Sequence, residues 1–373
     1  MGDRYESCNR WWEFYLLDRN HMAILHFDNL GIAALSAAIP KTIINNYQYT
    51  DYFNPEMVKQ VVDKIEIYQR RFADSETCSS DLCYHAAEKL IADNNVDRSE
   101  IDLLVFISQT PDFRMPATSV ILQERLGLSH STMAFDINLG CSAFLYGLSV
   151  VYSLMQGTGI RKALLLDGET RSKVYSPKDR KTAFLFGDGG VAALIERQSG
   201  VGESWFSLNS DGSREDYIKI VGGGYRHPSS IETLRERVVD EYGNIRNDEQ
   251  GYMRGSDVFN FVISEVPKDI RNLVSTAQKN IEDFDYYIFH QANNFINKYL
   301  AKKLKLDSNR IPSTVEKYGN TSSVSIPLTI VDCLQNKLNG KKELLLSAFG
   351  VGMTWATAIL PLCNTKISDI VEV

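Results

Sequence analysis

A cysteine at the start of a helix-like segment is the residue in this sequence best suited to covalent chemistry. Cys141 follows a β-rich segment and stands at the head of an apolar helical pattern. The first turn of a helix has unpaired backbone N–H groups and the positive end of the helix dipole, and both favour a thiolate. We therefore predict that Cys141 is a nucleophile. A lone cysteine is more often a small buried hydrophobe, so other residues must decide between the two interpretations.

Two further polar residues supply what an activated cysteine needs. His290 follows an apolar strand-like run and begins the sequence His-Gln-Ala-Asn, and Asn320 lies in the sequence Tyr-Gly-Asn-Thr-Ser. Side chains of these types donate hydrogen bonds to negative charge that develops in a reaction. Taken alone, His290 is better explained as a satisfied core histidine and Asn320 as a helix N-cap. Their positions in an internal repeat favour one shared site.

The internal repeat relates these residues to one another. Residues 101–110 and residues 284–293 share a buried-strand pattern that ends in polar side chains. A second strand-like run begins 21 residues after Cys141 and 22 residues after Asn320. These matching spacings predict two related halves in which Cys141 and Asn320 occupy equivalent positions.

The same repeat predicts the elements that position the site. We expect an α/β fold of two pseudo-symmetric α-β-α-β-α lobes, with central buried helices that begin at Cys141 and at Asn320. The N-termini of the two helices then meet, and His290 lies at the C-terminal end of a strand, where open α/β sheets bind ligands. Small residues would let the two helices approach closely: Ser142, Ala143, Gly147 and Ser149 in one, and Thr321, Ser322, Ser323 and Ser325 in the other.

The chain divides into three predicted parts. Residues 1–21 mix charged and aromatic side chains without the features of a signal peptide, and we interpret them as a leader foreign to the fold. Residues 22–200 form the N-terminal lobe with the cysteine, and residues 201–373 form the C-terminal lobe with the histidine and asparagine. Residues 205–255 are polar and rich in glycine, which is typical of surface loops that cover an entrance.

Composition excludes several classes of protein. The chain has 373 residues, 44% hydrophobic and 23% charged, as expected for a globular protein. A net charge of −7 and a pI near 5.5 argue against a nucleic-acid-binding protein. No apolar run approaches the roughly 18 residues of a membrane-spanning helix. The six cysteines lack paired spacing, so we predict no metal site and reduced thiols in a cytoplasmic protein.

Together these motifs resemble the thiolase superfamily, and most closely the β-ketoacyl-acyl-carrier-protein synthase III family. The resemblance extends over residues 23–362 and implies a thiolase-like fold. It rests on these sequences: Gly-Cys141-Ser-Ala-Phe, His290-Gln-Ala-Asn293, Tyr318-Gly-Asn320-Thr-Ser, Ala348-Phe-Gly-Val-Gly-Met-Thr-Trp355, Gly187-Asp188-Gly-Gly and Gly255-Ser-Asp-Val-Phe259.

The resemblance implies an acyltransferase that works by decarboxylative Claisen condensation, with no cofactor and no metal. Cys141 would hold an acyl group taken from a thioester. His290 and Asn320 would donate hydrogen bonds to the enolate that forms when a malonyl thioester loses carbon dioxide. Backbone N–H groups of Cys141 and of the loop with Val351 and Gly352 would bind the oxyanion of the condensation step. Fatty acid or polyketide-like biosynthesis is the expected context.

The resemblance also implies partners. The substrates would be thioesters of acyl carrier protein, of coenzyme A, or of both. A homodimer is expected, in which Met115 reaches the acyl pocket of the neighbouring subunit. Lys302 and Lys303 would dock the acidic carrier protein, and the alternative for them is an ordinary solvated helix face. Three residues match the positions that contact the pantetheine arm: Asn293, Gly255 and Ser256.

The sequence departs from the family at positions that bear on the substrate. Many members clamp the adenine and phosphate of coenzyme A with a Trp and an Arg, which align here near Gln60 and Lys64. Phe295 replaces a frequent Arg, and Val351 replaces the middle glycine of three. These changes indicate a specialised pathway and leave the carrier of the starter group open.

Two other classes of function are kept as alternatives. The first is a cysteine-dependent acyltransferase or a Claisen synthase that does not decarboxylate its substrate. Hydroxymethylglutaryl-type synthases of this class need a glutamate before the cysteine, and residues 108–112 contain none. The second is a non-catalytic heterodimer partner, against which the presence of the cysteine, histidine and asparagine argues.

Overall fold

The computed structural model describes residues 23–373, so the leader that we predict at residues 1–21 lies outside the described chain. The strands are β1 (Ala23–Asp28), β2 (Leu30–Ile39), β3 (Ile43–Asn45), β4 (Gln69–Arg71), β5 (Leu103–Ile107), β6 (Met133–Ile137), β7 (Lys162–Thr170), β8 (Asp188–Arg197), β9 (Glu203–Ser210), β10 (Ile218–Lys219), β11 (Arg237–Val238), β12 (Ile245–Arg246), β13 (Tyr252–Met253), β14 (Tyr286–Phe289), β15 (Lys341–Gly350), β16 (Thr354–Cys363), β17 (Lys366–Ile367) and β18 (Val371–Glu372). The helices are α1 (Pro55–Ile65), α2 (Ser79–Asn94), α3 (Thr118–Arg125), α4 (Ala143–Met155), α5 (Gly255–Thr276), α6 (Asn294–Leu304), α7 (Val315–Tyr318) and α8 (Ser325–Leu334).

Two large sheets form the framework. The first has the strand order β17-β2-β8-β7-β5-β6, with β18 also paired to β2, and the second has the order β1-β9-β16-β15-β14. The repeat that the sequence predicts is visible in the pairing, because β5 runs parallel to β7 as β14 runs parallel to β15. In both sheets the next strand, β8 or β16, is antiparallel. The sheets are therefore related halves with the same connectivity at their centres.

Helices cover both faces of both sheets, which explains why the central strands are apolar runs and not alternating patterns. Helices α4 and α8 lie between the sheets, and their apolar residues share one core with side chains of both sheets. Helix α2 packs on the outer face of the first sheet, and α5 and α6 pack on the outer face of the second. The resulting α-β-α-β-α layers with central buried helices confirm the predicted fold class.

The two predicted lobes exchange strands. The boundary at residues 200 and 201 falls in the turn between β8 and β9, which belong to different sheets. Strand β1 from the first lobe nevertheless pairs with β9, and β17 and β18 from the second lobe pair with β2. The division at residue 200 stays a prediction, and each sheet draws on both ends of the chain.

The topology fixes where a site can form. Strands β6, β5 and β7 are parallel neighbours, with Ile137, Ile107 and Asp167 at the same level near their C-terminal ends. Cys141 follows β6 by four residues, so it lies at this edge and faces the layer of central helices. Within residues 23–373, no helix is both long enough and apolar enough to cross a membrane.

Candidate active site

The thiol of Cys141 lies in a close-packed corner between the two sheets. Helix α4 begins at Ala143, two residues after the cysteine, and the Ala143 N–H donates to the Gly140 carbonyl at 2.8 Å. Cys141 is only 5% exposed. Gly350, at the end of β15, has no side chain because a Cβ there would lie 2.6 Å from both Cβ and Sγ of Cys141.

The ionisation of Cys141 differs from the expectation of a favoured thiolate. Burial raises the pKa of the Cys141 thiol above its ordinary value, because the charged form loses its hydration. The positive charge of Arg171, a hydrogen bond from Ser322 and the backbone N–H of Val351 act in the opposite direction but do not outweigh burial. Position near a helix start is therefore not sufficient, and the resting cysteine holds its proton at neutral pH.

His290 is buried as a neutral side chain. It follows β14, is 2% exposed, and its Nδ1 lies 2.8 Å from Ser325 Oγ. Burial lowers the pKa of His290 to about 3, with Arg171 acting in the same direction and the Ser322 carbonyl opposing it. Ser325 Oγ also accepts the Gln291 N–H at 3.3 Å, which leaves its own O–H to donate to Nδ1. We assign the proton of the neutral ring to Nε2 on this basis, which makes that nitrogen a hydrogen-bond donor.

The expectation that the second central helix begins at Asn320 is wrong, because α8 begins at Ser325 after a 3-10 turn over Ser322–Val324. Asn320 is instead held by its backbone and by its side-chain oxygen. Its N–H donates to the Leu185 carbonyl at 2.8 Å, and its own carbonyl accepts the Gly187 N–H at 3.1 Å. Asn320 Oδ1 accepts the Ser322 N–H at 2.9 Å. The amide nitrogen is consequently directed away from this contact, and Asn320 can donate from Nδ2.

Ser322 contacts all three predicted residues, and sequence reasoning did not identify it. Its N–H binds Asn320, its carbonyl acts on His290, and its Oγ lies 3.7 Å from Cys141 Sγ. Ser322 has a φ of 56°, in the left-handed region that non-glycine residues rarely occupy. Its position in a run of small residues was the only signal, and that signal was interpreted as helix packing.

The loop between β15 and β16 carries two residues of the predicted oxyanion site, Val351 and Gly352. The Val351 N–H is directed at Cys141 and lowers the pKa of its thiol. Gly352 has a φ of 139°, which a residue with a side chain rarely adopts. The oxyanion role of the backbone N–H groups of Cys141, Val351 and Gly352 stays a prediction.

A cavity of about 640 Å³ lies beside the start of α5. Gly255 and Ser256, which we predict to contact pantetheine, are among its lining residues. Its wall also includes Met253, which, like Tyr175, packs against the buried apolar cluster that contains Phe186. Three cationic side chains that the sequence did not single out also line it: Lys181, Arg246 and Arg254. Each has a carboxylate partner, in Asp240, Asp179 and Asp216 respectively.

The remaining predicted residues lie outside the catalytic cluster. Asn293 is the N-cap of α6, where its Oδ1 accepts the Ile296 N–H at 2.9 Å. Met115 is 79% exposed at the tip of its loop. Lys302 and Lys303 lie in the last turn of α6, and Lys303 Nζ donates to the Ile263 carbonyl at 2.6 Å.

Comparison with known proteins identifies the class of enzyme. Residues 135–212 match the family described as 3-Oxoacyl-[acyl-carrier-protein (ACP)] synthase III, and residues 274–362 match its C-terminal part. A putative 3-oxoacyl-[acyl-carrier-protein] synthase 3 from Campylobacter jejuni is 34% identical over 340 residues, covering 90% of this chain and 94% of that protein. A β-ketoacyl-[acyl-carrier-protein] synthase III from Caldanaerobacter subterraneus is 32% identical over 88% of this chain and 97% of that protein.

Solved structures agree with this assignment. The 3-oxoacyl-(acyl-carrier protein) synthase from Burkholderia xenovorans superposes with a TM-score of 0.88 at 35% identity, over 94% of this chain and 99% of that one. The fold of the present chain and its likeness to these proteins make it a thiolase-fold condensing enzyme. The chain belongs to the 3-oxoacyl-acyl-carrier-protein synthase III family and is a β-ketoacyl synthase III-like acyltransferase.

Proposed function

We propose that this enzyme is acylated on Cys141 and then joins the acyl group to a malonyl thioester by decarboxylative Claisen condensation. The observation that carries the proposal is the convergence of Cys141, His290 and Asn320 on Ser322, in a buried corner with the Val351 N–H aimed at Sγ. A nucleophile, two neutral donors and an oxyanion site are the parts that the two half-reactions need.

In the first half-reaction, the sulfur of Cys141 forms a bond to the acyl carbon and the bond to the carrier sulfur breaks. The thiol proton of Cys141 leaves with the departing carrier thiolate. His290, with a pKa of about 3, is a poor acceptor for this proton, so we assign it no role as a resting base. The N–H groups of Cys141 and Val351 stabilise the oxyanion of the tetrahedral intermediate.

In the second half-reaction, the malonyl thioester loses carbon dioxide and its electron pair moves into an enolate. His290 Nε2 and Asn320 Nδ2 donate to the enolate oxygen, and a neutral histidine suits this task because it keeps one fixed proton. The enolate carbon then attacks the acyl carbonyl, and collapse of the intermediate expels Cys141 as a thiolate. Each donor lost should cost about 100- to 1,000-fold in rate.

The test separates the two half-reactions. Intact-mass measurement should show a stoichiometric acyl adduct on the wild-type protein and none on Cys141→Ala. His290→Ala and Asn320→Ala should still acylate but release carbon dioxide from malonyl thioesters at least about 100-fold more slowly. Acylation without any carbon dioxide release in the wild type would instead favour a cysteine-dependent acyltransferase.

We also propose a homodimer in which Met115 enters the partner's acyl pocket. The support is the exposure of two apolar side chains on one loop, Phe113 at 60% and Met115 at 79%. Light scattering at micromolar concentration should give twice the chain mass, and Met115→Asp should weaken the dimer. A monomeric mass for the wild type would contradict the proposal.

We further propose that an acyl carrier protein delivers the extending substrate and docks at Lys302 and Lys303. These lysines are exposed in the last turn of α6, and carriers are acidic. Reversal of both to Glu should raise the KM for carrier-bound substrate and reduce its salt dependence, with no effect on small pantetheine thioesters. Lys181→Glu at the cavity wall is the matched comparison, and equal impairment with both substrate forms would contradict the docking role.

We assign the enzyme to the cytoplasm and propose that its chemistry needs no bound cofactor. The five cysteines of the described chain are unpaired, which suits a reducing compartment and a free nucleophilic thiol. Full activity after exhaustive dialysis against a chelator would support the proposal that the chemistry needs no bound cofactor.

A further inference from the structure

A buried arginine lies beside the nucleophile, and the proposed mechanism does not use it. Arg171 is 4% exposed, and its Nη1 lies 3.8 Å from Oε2 of the fully buried Glu169. Buried ion pairs are expensive to form, and a pair of apolar side chains in their place is often more stable. A buried arginine at such a position therefore calls for an explanation in terms of a ligand or of local structure.

Arg171 begins the 3-10 turn that directly follows β7, at the C-terminal edge of the sheet. Alternate residues of β7 face the same side, and Ala163 and Leu165 belong to the core of the central helices. Asp167 continues this face, since its Oδ1 accepts a hydrogen bond from Ser323 Oγ at 2.6 Å. Arg171 follows Asp167 by four residues, as Cys141 follows Ile137, and these two strand positions are at the same sheet level.

Electrostatic influence agrees with this placement. The positive charge of Arg171 lowers the pKa of Cys141 and also lowers the pKa of His290. The guanidinium carbon lies 5.6 Å from the ring centre of Tyr175 and 5.9 Å from that of Phe186. Phe186 forms a β-bridge with Asn320. Arg171 therefore acts electrostatically on Cys141 and His290 and is linked to Asn320 through Phe186.

Glu169 does not complete the hydrogen bonding of Arg171. Its Oε1 accepts the Gln109 N–H at 3.0 Å and its Oε2 accepts Thr110 Oγ1 at 3.1 Å. The ion pair at 3.8 Å is longer than a hydrogen bond. The guanidinium also forms a hydrogen bond with the Tyr175 side chain, but its Nε is fully buried and has no hydrogen-bond partner among the described residues. A buried donor of this kind is costly unless a ligand satisfies it.

We propose that Arg171 selects a starter acyl group that carries a neutral oxygen, a hydroxyl or a keto group, a few carbons from the thioester. Glu169 already balances the guanidinium, so a neutral acceptor satisfies Nε without placing a second anion in the pocket. The Phe186 and Tyr175 rings, stacked 3.9 Å apart, lie against the same guanidinium and limit the length of the acyl group. This inference rests on acylation at Cys141 and concerns only which acyl group is taken.

The experiment measures self-acylation rates with three thioesters of four-carbon acyl groups: butyryl, 3-hydroxybutyryl and succinyl. A hydrogen bond from a charged donor is worth about 10- to 100-fold in selectivity, so 3-hydroxybutyryl should react at least about tenfold faster than butyryl. Arg171→Met should abolish this ratio. Because that change leaves Glu169 unpaired, Glu169→Gln/Arg171→Met is measured as well and should also show no preference.

Arg70→Met is the matched control. Arg70 is a second buried arginine near Phe186, whose carbonyl accepts its Nη1 at 3.2 Å, but its Nε binds Asn46 Oδ1 at 2.7 Å. Its loss should lower stability while leaving the ratio unchanged. Faster reaction of butyryl or of succinyl in the wild type would overturn the proposal, and so would a ratio that survives Arg171→Met. Absence of any Cys141 adduct would instead contradict the proposed function.

Discussion

Gly350→Ala tests whether the position of the Cys141 sulfur is set by close contact with β15. An added Cβ would lie 2.6 Å from Cβ and Sγ of Cys141, about 0.8 Å closer than the 3.4 Å at which ordinary van der Waals contact begins. Rotation of the cysteine side chain relieves the contact at Sγ but not the one at Cβ. The backbone of α4 or of β15 must therefore move by nearly 1 Å.

Two consequences follow from that displacement. A shift of about 1 Å in a reacting group costs about 100-fold in rate, so self-acylation should slow by that factor. Overpacking of a rigid core costs about 1–3 kcal/mol, so the free energy of unfolding should fall by that amount. The rate is measured by intact mass after rapid mixing with an acyl thioester, and the stability by denaturant titration.

Two controls make the test specific. Gly212→Ala adds a Cβ that has no atom within 4 Å, and it should change neither quantity. In a Cys141→Gly background, which removes both clashing atoms, Gly350→Ala should lose most of its destabilising effect. Acylation of Gly350→Ala within threefold of the wild-type rate would refute the argument.

Two further predictions concern ionisation and Ser322. The self-acylation rate should rise with pH and continue to rise above pH 9, the ordinary pKa of a cysteine thiol. The reason is that burial raises the pKa of Cys141. His290 should add no step to this profile between about pH 5 and 8, since its pKa is about 3. Stability, however, should decline as pH falls below 6.5 toward 3, because only the unfolded histidine gains a proton there. A rate step near pH 6.5 would contradict the assignment. Ser322→Ala keeps the backbone contacts and removes the hydroxyl, so the alkaline limb should move to higher pH while malonyl decarboxylation changes by less than about tenfold.

The sequence predicts the framework well because the framework repeats. The spacing from Cys141 to β7 and from Asn320 to β15 reflects one helix and one turn in each half, and both halves pair their strands in the same way. Small residues after Cys141 and Asn320 are buried at the helix starts, as close packing requires. The spacing of strands and helices and the positions of small residues are properties of short stretches of chain, so the sequence alone can predict them.

Other features depend on contacts between distant segments and could not be inferred locally. The raised pKa of Cys141 follows from burial by Gly350 and Val351, which lie more than 200 residues away in the chain. Ser322 is unremarkable as a residue type, and both its left-handed backbone and its contacts with Asn320 and Cys141 are visible only in the folded chain. Arg171 is hard to predict for a related reason: a polar residue after a strand is ordinarily a surface residue, and its burial here depends on packing with side chains such as Phe186.

The buried state of the proposed catalytic group explains an apparent conflict between its parts. Low polarity disfavours the resting thiolate of Cys141, yet the same low polarity keeps His290 neutral and strengthens each hydrogen bond made there. In the proposed mechanism the donors are the Val351 N–H, Asn320 Nδ2 and His290 Nε2. The surrounding protein holds them in place, and the His290 N–H, which the Ser322 carbonyl attracts in the resting site, is shared with the enolate oxygen. A site built in this way stabilises the oxyanion and the enolate more than it stabilises the free thiolate. That difference is what acceleration of a condensation requires, because only interactions that are stronger in the transition state than in the resting enzyme raise the rate.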